Sequence, residues 1–189
     1  MKKLTLLFLF CSLIVTAQRD RGDWTLGFGV NTVNSNGKNS PFNSPEDWAF
    51  GIPISISLEH NWTKPFSIEQ SISINQFNDG NKIDGNAELG TDLFYFSTNT
   101  KVKWYFDDYI FPRRSDWFDL ALSGGVGIFT IEGQGMNTTG NVGLDAIIWF
   151  DDSWGIALKS MGKFAFGQGD TFFLSNHFQH FVELVYNFD

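Results

Sequence analysis

The sequence predicts an all-β protein, an eight-stranded antiparallel up-and-down transmembrane β-barrel. Three observations carry that expectation. Eight stretches alternate apolar and polar residues with period two, the pattern of a strand with one apolar and one polar face. The connectors between them alternate in character, some tight and others longer and rich in Gly, Asn and Ser. Six of the seven tryptophans fall at strand ends or turns on one side of the proposed barrel. A chain of 189 residues suits one such domain.

The N-terminus precedes the barrel. Lys2 and Lys3 form a positive end, Leu4–Val15 an apolar run, and Val15-Thr16-Ala17 a small-residue cleavage site. Residues 1–17 therefore read as a secretory signal peptide and residues 18–189 as the barrel, with Gln18 as the first mature residue. The apolar run is too short to cross a bilayer as a helix. Cys11, the only cysteine, lies in the signal, and the bulky Phe10 before it argues against lipidation. Without it the mature chain has neither a disulfide nor a thiolate metal site. Formal net charge is −8, and loss of Lys2 and Lys3 makes it −10. That charge leaves no basic footprint for nucleic acid.

The strands are expected at Trp24–Val33, Ala49–His60, Pro65–Asn78, Asp92–Phe106, Trp117–Thr130, Thr138–Phe150, Ser153–Phe166 and His177–Phe188. Each meets the ~9–11 residues that a tilted membrane strand needs. Longer connectors fall at Asn34–Trp48, Asp79–Thr91, Ile131–Asn137 and Gly167–Asn176. Asn61–Lys64 and Asp151–Asp152 are tight turns, and Asp107–Asp116 is a longer exception. Short turns on one side and long loops on the other put both termini in the periplasm of an outer-membrane barrel. In lipid every backbone N–H and C=O needs a partner, which a closed sheet supplies.

One face carries Leu26, Phe28, Ile56, Ile72, Val126 and Leu158; the other carries Gly27, Ser57, Ser71, Asn99, Gly127 and Gly143. Alternation alone does not say which face is outside, since a soluble lipocalin-like barrel puts the apolar face inward. Tryptophan placement favours the membrane. Trp24, Trp62, Trp104, Trp117, Trp149 and Trp154 are expected to form an aromatic girdle at the periplasmic interface.

The polar face then becomes a lumen. Nine charges share its parity: Glu59, Glu69, Lys101, Lys103, Asp119, Asp145, Lys159, Lys163 and Glu183. Five of them, Glu69, Lys101, Asp145, Lys159 and Glu183, fall at similar depth, about 10–15 Å from the terminal end. Contacts of Glu69 with Lys101 or Lys103 are expected, and a chain Asp145–Lys159–Glu183. Eight strands leave an interior just wide enough for side chains, and a charge there must be paired or hydrated. The leading expectation is a paired plug. A gated ion path and a hydrated, non-conducting lumen are the alternatives.

The last stretch, HFQHFVELVYNFD from His177 to Asp189, resembles the closing strand of outer-membrane barrels, where an aromatic near the C-terminus belongs to the assembly signal. With LSGGVGI at Leu122–Ile128 and the run Asn141–Leu158, which contains WFDDSWGIAL, it is similar to the eight-stranded barrel domain of outer membrane protein A-like proteins. The resemblance covers Trp24 to Phe188. It implies an integral outer-membrane protein in contact with the bilayer and lipopolysaccharide, with no cofactor and usually no enzyme activity. Many members continue into a peptidoglycan-binding domain, and no such segment follows the barrel in this sequence.

Other candidates are weaker. His177 and His180 lie on opposite faces of one strand and form no metal pincer. His180 could pair with Ser160 on the lipid face, as in lipid A-modifying barrel enzymes, but Glu183 has the wrong parity to orient it. Asp79–Gly85 only faintly resembles a calcium loop, and its Gly and Asn need no ion to explain them. The lipid face is interrupted twice, at Gln70, Thr98, Thr100 and Gly124, and at Ser160, Gly162 and His180. Small and polar residues there suit packing against another outer-membrane protein. The functional expectation is a non-catalytic barrel, structural or an accessory subunit of a larger complex. A small-solute pore and a lipid A-modifying enzyme are the alternatives.

Overall fold

A computed structural model describes residues 22–35, 40–63, 65–83, 87–110, 117–133, 135–166 and 176–189. The expected signal segment 1–17, with Cys11, lies outside the described residues, as do positions 84 and 85 of the faint calcium motif.

Eight long strands close a barrel: β1 (Trp24–Asn34), β2 (Ile54–Thr63), β3 (Phe66–Phe77), β6 (Leu93–Tyr105), β7 (Phe118–Ile131), β8 (Asn137–Trp149), β9 (Trp154–Phe166) and β10 (His177–Phe188). Two short strands, β4 (Lys82–Ile83) and β5 (Ala87–Glu88), form a hairpin in the β3–β6 connection. One helical turn, α1 (Asp107–Ile110), follows β6. Neighbours in the barrel run β1-β10-β9-β8-β7-β6-β3-β2, and every adjacent pair is antiparallel.

The closing seam matches the sequence pattern. Trp24 pairs with Phe188 and Asn34 with Phe178, so β10 meets β1 over its full length. Asn187 latches the seam: its Oδ1 accepts the Gly22 N–H at 2.7 Å, and its Nδ2 donates to Thr25 Oγ1 at 2.9 Å. Closure leaves no sheet edge.

Most strand ends fall within a residue of expectation. The largest departure is the second strand, which begins at Ile54, not Ala49, and runs on to Thr63, past the expected end at His60. Pro53 has no N–H to give a ladder, and ahead of it the contacts with strands are isolated ones, a bridge from Ala49 to Val33 and the Gly51 N–H on the Gln76 carbonyl at 3.0 Å. Phe50 and Ile52 are exposed, but in loop conformation.

The barrel is inside-out. Phe28, Ile56, Ile72, Val126, Val142 and Val182 are exposed on the outer wall, while Glu69, Lys101, Asp145 and Gln179 are buried in the lumen. That polarity suits a lipid surround, where an apolar exterior has no water to avoid. No described helix is long and apolar enough to cross a membrane.

Glycine makes room inside at points of close approach. A Cβ on Gly27 would meet Ser57 Oγ and lie 2.6 Å from Glu183 Oε2. A Cβ on Gly127 would meet Asn99 Oδ1 and lie 2.7 Å from Asn141 Nδ2. The small inward face therefore supplies space for the polar side chains opposite.

Candidate functional site

The lumen is filled in four tiers. At the end carrying the termini, Tyr105, Ala121, Ile147, Trp149, Ala157 and Val185 pack together. Above them lies a charged layer, then a layer of amides and hydroxyls. At the loop end Val33, Ala49, Phe77, Ile83, Leu89, Tyr95, Phe129 and Ile131 form an apolar plug.

The charged layer is built from strands that face one another across the barrel. Lys103, 0% exposed, is its hub, with its Nζ 2.7 Å from Glu59, 2.8 Å from Glu69 and 3.2 Å from Asp145. Lys101 Nζ sits 3.3 Å from Glu69 and 3.0 Å from Asp145. Lys159 Nζ sits 2.9 Å from Glu69 and 2.6 Å from Glu183. Hydroxyls take further lone pairs. Ser67 and Tyr105 both donate to Glu59 Oε1 at 2.5 Å, and Ser57 donates to Glu183 Oε2 at 2.7 Å. Glu59 and Glu69 are direct neighbours in the β2–β3 register, two like charges side by side that Lys103 bridges.

Glu69 thus contacts both Lys101 and Lys103, as the strand adjacency predicts. The expected chain through Asp145, Lys159 and Glu183 holds only in its second link. Asp145 and Lys159 are register partners, yet Asp145 turns to Lys101 and Lys103 while Lys159 crosses to Glu69. In so narrow a lumen a lysine stem reaches the opposite wall as easily as the adjacent strand.

Asp119 and Lys163 stand apart from this layer. Asp119 lies lower, where Trp149 Nε1 donates to its Oδ2 at 2.5 Å. Trp149 is 4% exposed and points inward, so it does not belong to the expected girdle. Its parity is that of Ile147 and Asp145, the lumen face. Trp24, Trp62, Trp117 and Trp154 are exposed at the terminal end, and Trp104 is half-buried there between Phe106 and Tyr109. The outer ring of tryptophan has five members. The seventh tryptophan, Trp48, lies at the loop end.

Lys163 sits near the loop end and donates to the hydroxyls of Tyr95 at 3.2 Å and Ser97, and to Gln179 Oε1 at 3.4 Å. It also lies 5.8 Å from the ring centres of Tyr95 and Phe129.

The amide layer beneath was not singled out from the sequence. Asn31 Nδ2 donates to the carbonyls of Ile54 at 2.8 Å and Ile74 at 2.9 Å. Gln179 Nε2 donates to Ser73 Oγ at 2.8 Å and Asn31 Oδ1 at 3.1 Å. Asn141 Nδ2 donates to Asn99 Oδ1 at 3.1 Å. The signal was present: Asn31, Asn75, Asn99, Asn141 and Gln179 share the inward parity of the charges.

On the outer wall, Gln70, Thr98, Thr100 and Gly124 are adjacent across β3, β6 and β7. Gln70 Nε2 donates to Thr98 Oγ1 at 2.8 Å, and Thr100 Oγ1 donates to Gln70 Oε1 at 2.5 Å. His180 is opposite Ser160 in register. Its ring, however, stacks on Phe42 and Trp48, with centroids 5.1 and 5.0 Å away, and its Nε2 is 2.9 Å from the Pro41 carbonyl. The first long loop therefore folds down over this gap, with Thr32 Oγ1 bonding the Ala49 carbonyl at 2.9 Å. His177 faces inward, with its Nε2 2.8 Å from the Tyr95 hydroxyl. Among the described residues no three His, Cys, Asp or Glu side chains are grouped to hold a metal.

No protein-family model and no curated protein sequence matches this chain. Solved structures do match in fold. The crystal structure of the outer membrane protein OprG from Pseudomonas aeruginosa aligns with a TM-score of 0.57 at 10% identity, over 89% of this chain and 96% of that one. The crystal structure of Neisserial surface protein A gives 0.56 at 10% identity, over 87% and 95%. The N-terminal β-barrel domain of Pseudomonas aeruginosa OprF gives 0.54 at 11% identity, over 90% and 100%. The fold is that of the eight-stranded transmembrane barrels, and at these identities the likeness is one of fold.

Proposed function

We propose that this protein is a non-catalytic barrel of the outer membrane whose lumen is sealed, and that its work is done on its outer wall and loops. In this reading both termini and the short turns face the periplasm, and the plugged mouth faces outward. The fold is supported by its likeness to outer membrane proteins. One observation carries the sealed reading: Lys103, with Glu59, Glu69 and Asp145 within 3.2 Å, ties opposite walls together across the whole lumen. An ion in transit would have to displace these pairs, and then pass the apolar plug around Ile83 and Phe129.

Planar-bilayer recording tests this directly. Purified protein is expected to insert without opening channels at moderate voltage. Steady single-channel conductance from the wild-type barrel would replace the sealed reading with a pore.

The accessory-subunit form of the proposal rests on the seam at Gln70, Thr98, Thr100 and Gly124. Its amide and hydroxyls satisfy one another, which lowers the cost of the polar groups in lipid and leaves a shallow, small-residue strip for another barrel to approach. Replacing Gln70, Thr98 and Thr100 with Leu is expected to abolish recovery of an outer-membrane companion in mild detergent. Unchanged recovery removes this strip from consideration. His180, clasped by Phe42, Trp48 and Pro41, supports a packing role over that of a general base, because its Nε2 is already engaged.

A further inference from the structure

The outward-facing strand glycines Gly124, Gly140 and Gly162 have unequal surroundings. A Cβ on Gly162 would lie 3.2 Å from the Phe178 ring and 3.5 Å from that of Phe164, and one on Gly140 would lie 2.8 Å from the Phe166 ring. Aromatic rings thus roof both. Gly124 is exposed, and a Cβ there would meet nothing nearer than the Asn141 carbonyl oxygen at 4.0 Å. Its ladder partners Val102 and Val142 continue in unbroken register, and its φ is not positive. No bulge, turn or internal contact asks for glycine at this point. Glycine weakens a strand interior, and where the chain itself does not need it, it marks close approach from outside.

Near this dent lies an amide with unspent hydrogen-bonding capacity. Gln70 reaches from β3 over β6, where its Nε2 donates to Thr98 and its Oε1 accepts from Thr100. A primary amide has two N–H groups and an oxygen that accepts twice. One donor and one acceptor site remain, on a wall where lipid offers neither. Amide and dent also share a depth. The ladder row that leaves β1 at Trp24 passes Ile68, Val102 and Gly124 and returns to β1 ten residues higher, at Asn34. That climb is on the order of 25 Å over eight strands, or about 3 Å per strand. Gly124 is two strands on from Ile68 in this row, and Gln70 is two residues up from Ile68 on β3. Both therefore sit roughly 5–6 Å above Ile68, on either side of Thr100.

We propose that Gln70, Thr100 and Gly124 form the contact between two copies of this chain, related by a two-fold axis that runs parallel to the barrel and passes β6 at Thr100. This names the partner of the docking strip above and rests on that reading of the outer wall. Such an axis preserves depth and sets β3 of one copy against β7 of the other, so each Gln70 side chain meets the opposite Gly124 dent. The spare amide N–H then donates to a spare oxygen of the opposite strip, in both directions. A surface that carries its own protrusion, dent, donor and acceptor at one depth is complementary to itself. Strand lean makes the two walls cross at about twice the tilt, which confines contact to a compact patch of this extent.

The test places single cysteines in the full-length protein, whose own Cys11 lies in the expected signal segment. Oxidation in intact outer membranes is expected to convert Thr100→Cys to a disulfide-linked dimer. Val182→Cys, exposed on β10 across the barrel from β6, is expected to stay monomeric. In a second measurement, two wild-type copies carrying different tags are expected to be recovered together in mild detergent. Gly124→Leu is expected to abolish that recovery while the barrel still folds, because the new side chain meets no neighbour in its own chain. Absence of the Thr100→Cys dimer, equal cross-linking of Val182→Cys, or wild-type recovery with Gly124→Leu overturns the proposal. Recovery of a different outer-membrane protein in place of the second copy also overturns it, and leaves the docking role of the strip standing. Recovery of neither removes both.

Discussion

The two halves of the lumen are held by different physics. Toward the termini, Lys101, Lys103 and Lys159 interlock with Glu59, Glu69, Asp145 and Glu183. Toward the loops, neutral amides such as Asn31, Asn99 and Gln179 give way to an apolar plug and to Lys163, the one buried cation there among the described residues. An outer wall bathed in lipid gains little from burying apolar surface, so such a barrel depends more than a soluble protein on the fit of its interior. In the charged half that fit is collective. Each lysine is shared among carboxylates, and the loss of one member leaves several groups uncompensated. In the loop-end half most contacts are neutral hydrogen bonds and apolar packing, and a lost side chain costs about what it buried and bonded.

The sharpest way to break that contrast is at Lys103. Lys103→Met leaves Glu59, Glu69 and Asp145 buried without the cation they share. Breaking a buried ion network by removing one partner costs about 3–5 kcal/mol. The variant is expected to unfold at a markedly lower denaturant midpoint, with Glu59→Gln in the same chain restoring part of the loss. A single variant as stable as the wild type would mean that water already screens this layer.

Plug residues test the other half. Ile83 is 1% exposed and inserts into the barrel mouth from the β4–β5 hairpin. Ile83→Ala is expected to cost about 2 kcal/mol, the low end for a buried large-to-small change, because a short surface hairpin can settle into the space. The effect should be smaller than that of Lys103→Met and should add to it, since the two sites share no partner side chain among the described residues. A double variant far from additive would mean that plug and charged layer act as one unit.

The two classes of tryptophan sharpen the comparison between lumen and wall. Trp149→Phe removes the N–H that Asp119 accepts at 2.5 Å inside the barrel. Loss of a hydrogen bond to a charged group costs about 1.5–3 kcal/mol. Trp154→Phe alters only the exposed ring at the outer terminal rim, and a shift below ~1 kcal/mol is expected. Equal effects of the two changes would argue that Asp119 has sufficient other partners.

Much of this was legible because a strand's period is two. Parity alone assigned the nine lumen charges, and adjacency of the third and fourth long strands predicted the Glu69 contacts with Lys101 and Lys103. The same rule, applied to Trp149, would have put it inside with Asp145 and Ile147. Grouping it by height with the other tryptophans hid that. Parity could not show which side chain reaches across the lumen. Asp145 and Lys159 face each other on adjacent strands yet choose other partners, a matter of side-chain length against lumen width. Loop packing was less legible still. Pro53 marks the start of β2, but nothing local told that Phe42 and Trp48 return to stack on His180, or that Ile83 folds into the mouth. Those contacts depend on the closed barrel being present to receive them.

A carboxylate outside the lumen gives the mildest contrast with those inside. Asp151 occupies the β8–β9 turn, where its Oδ1 accepts the backbone N–H groups of Trp154 at 2.7 Å and Ser153 at 2.8 Å. These bonds, the Trp154 N–H foremost, hold its pKa below the ordinary carboxylate value. The folded-state pKa is thus lower than the unfolded one. The turn's contribution is complete above the unfolded pKa, near ~3.9, and fades as pH falls through the folded value. Full exposure keeps the contribution small, because water competes for the same oxygen. Carboxyl-resolved NMR titration is expected to read Asp151 below that ordinary value, and Asp151→Asn should leave stability at neutral pH almost unchanged, since an amide oxygen accepts the same two bonds. An ordinary titration would show that the turn opens in solution, and that the barrel's short connections owe their order to the strands alone.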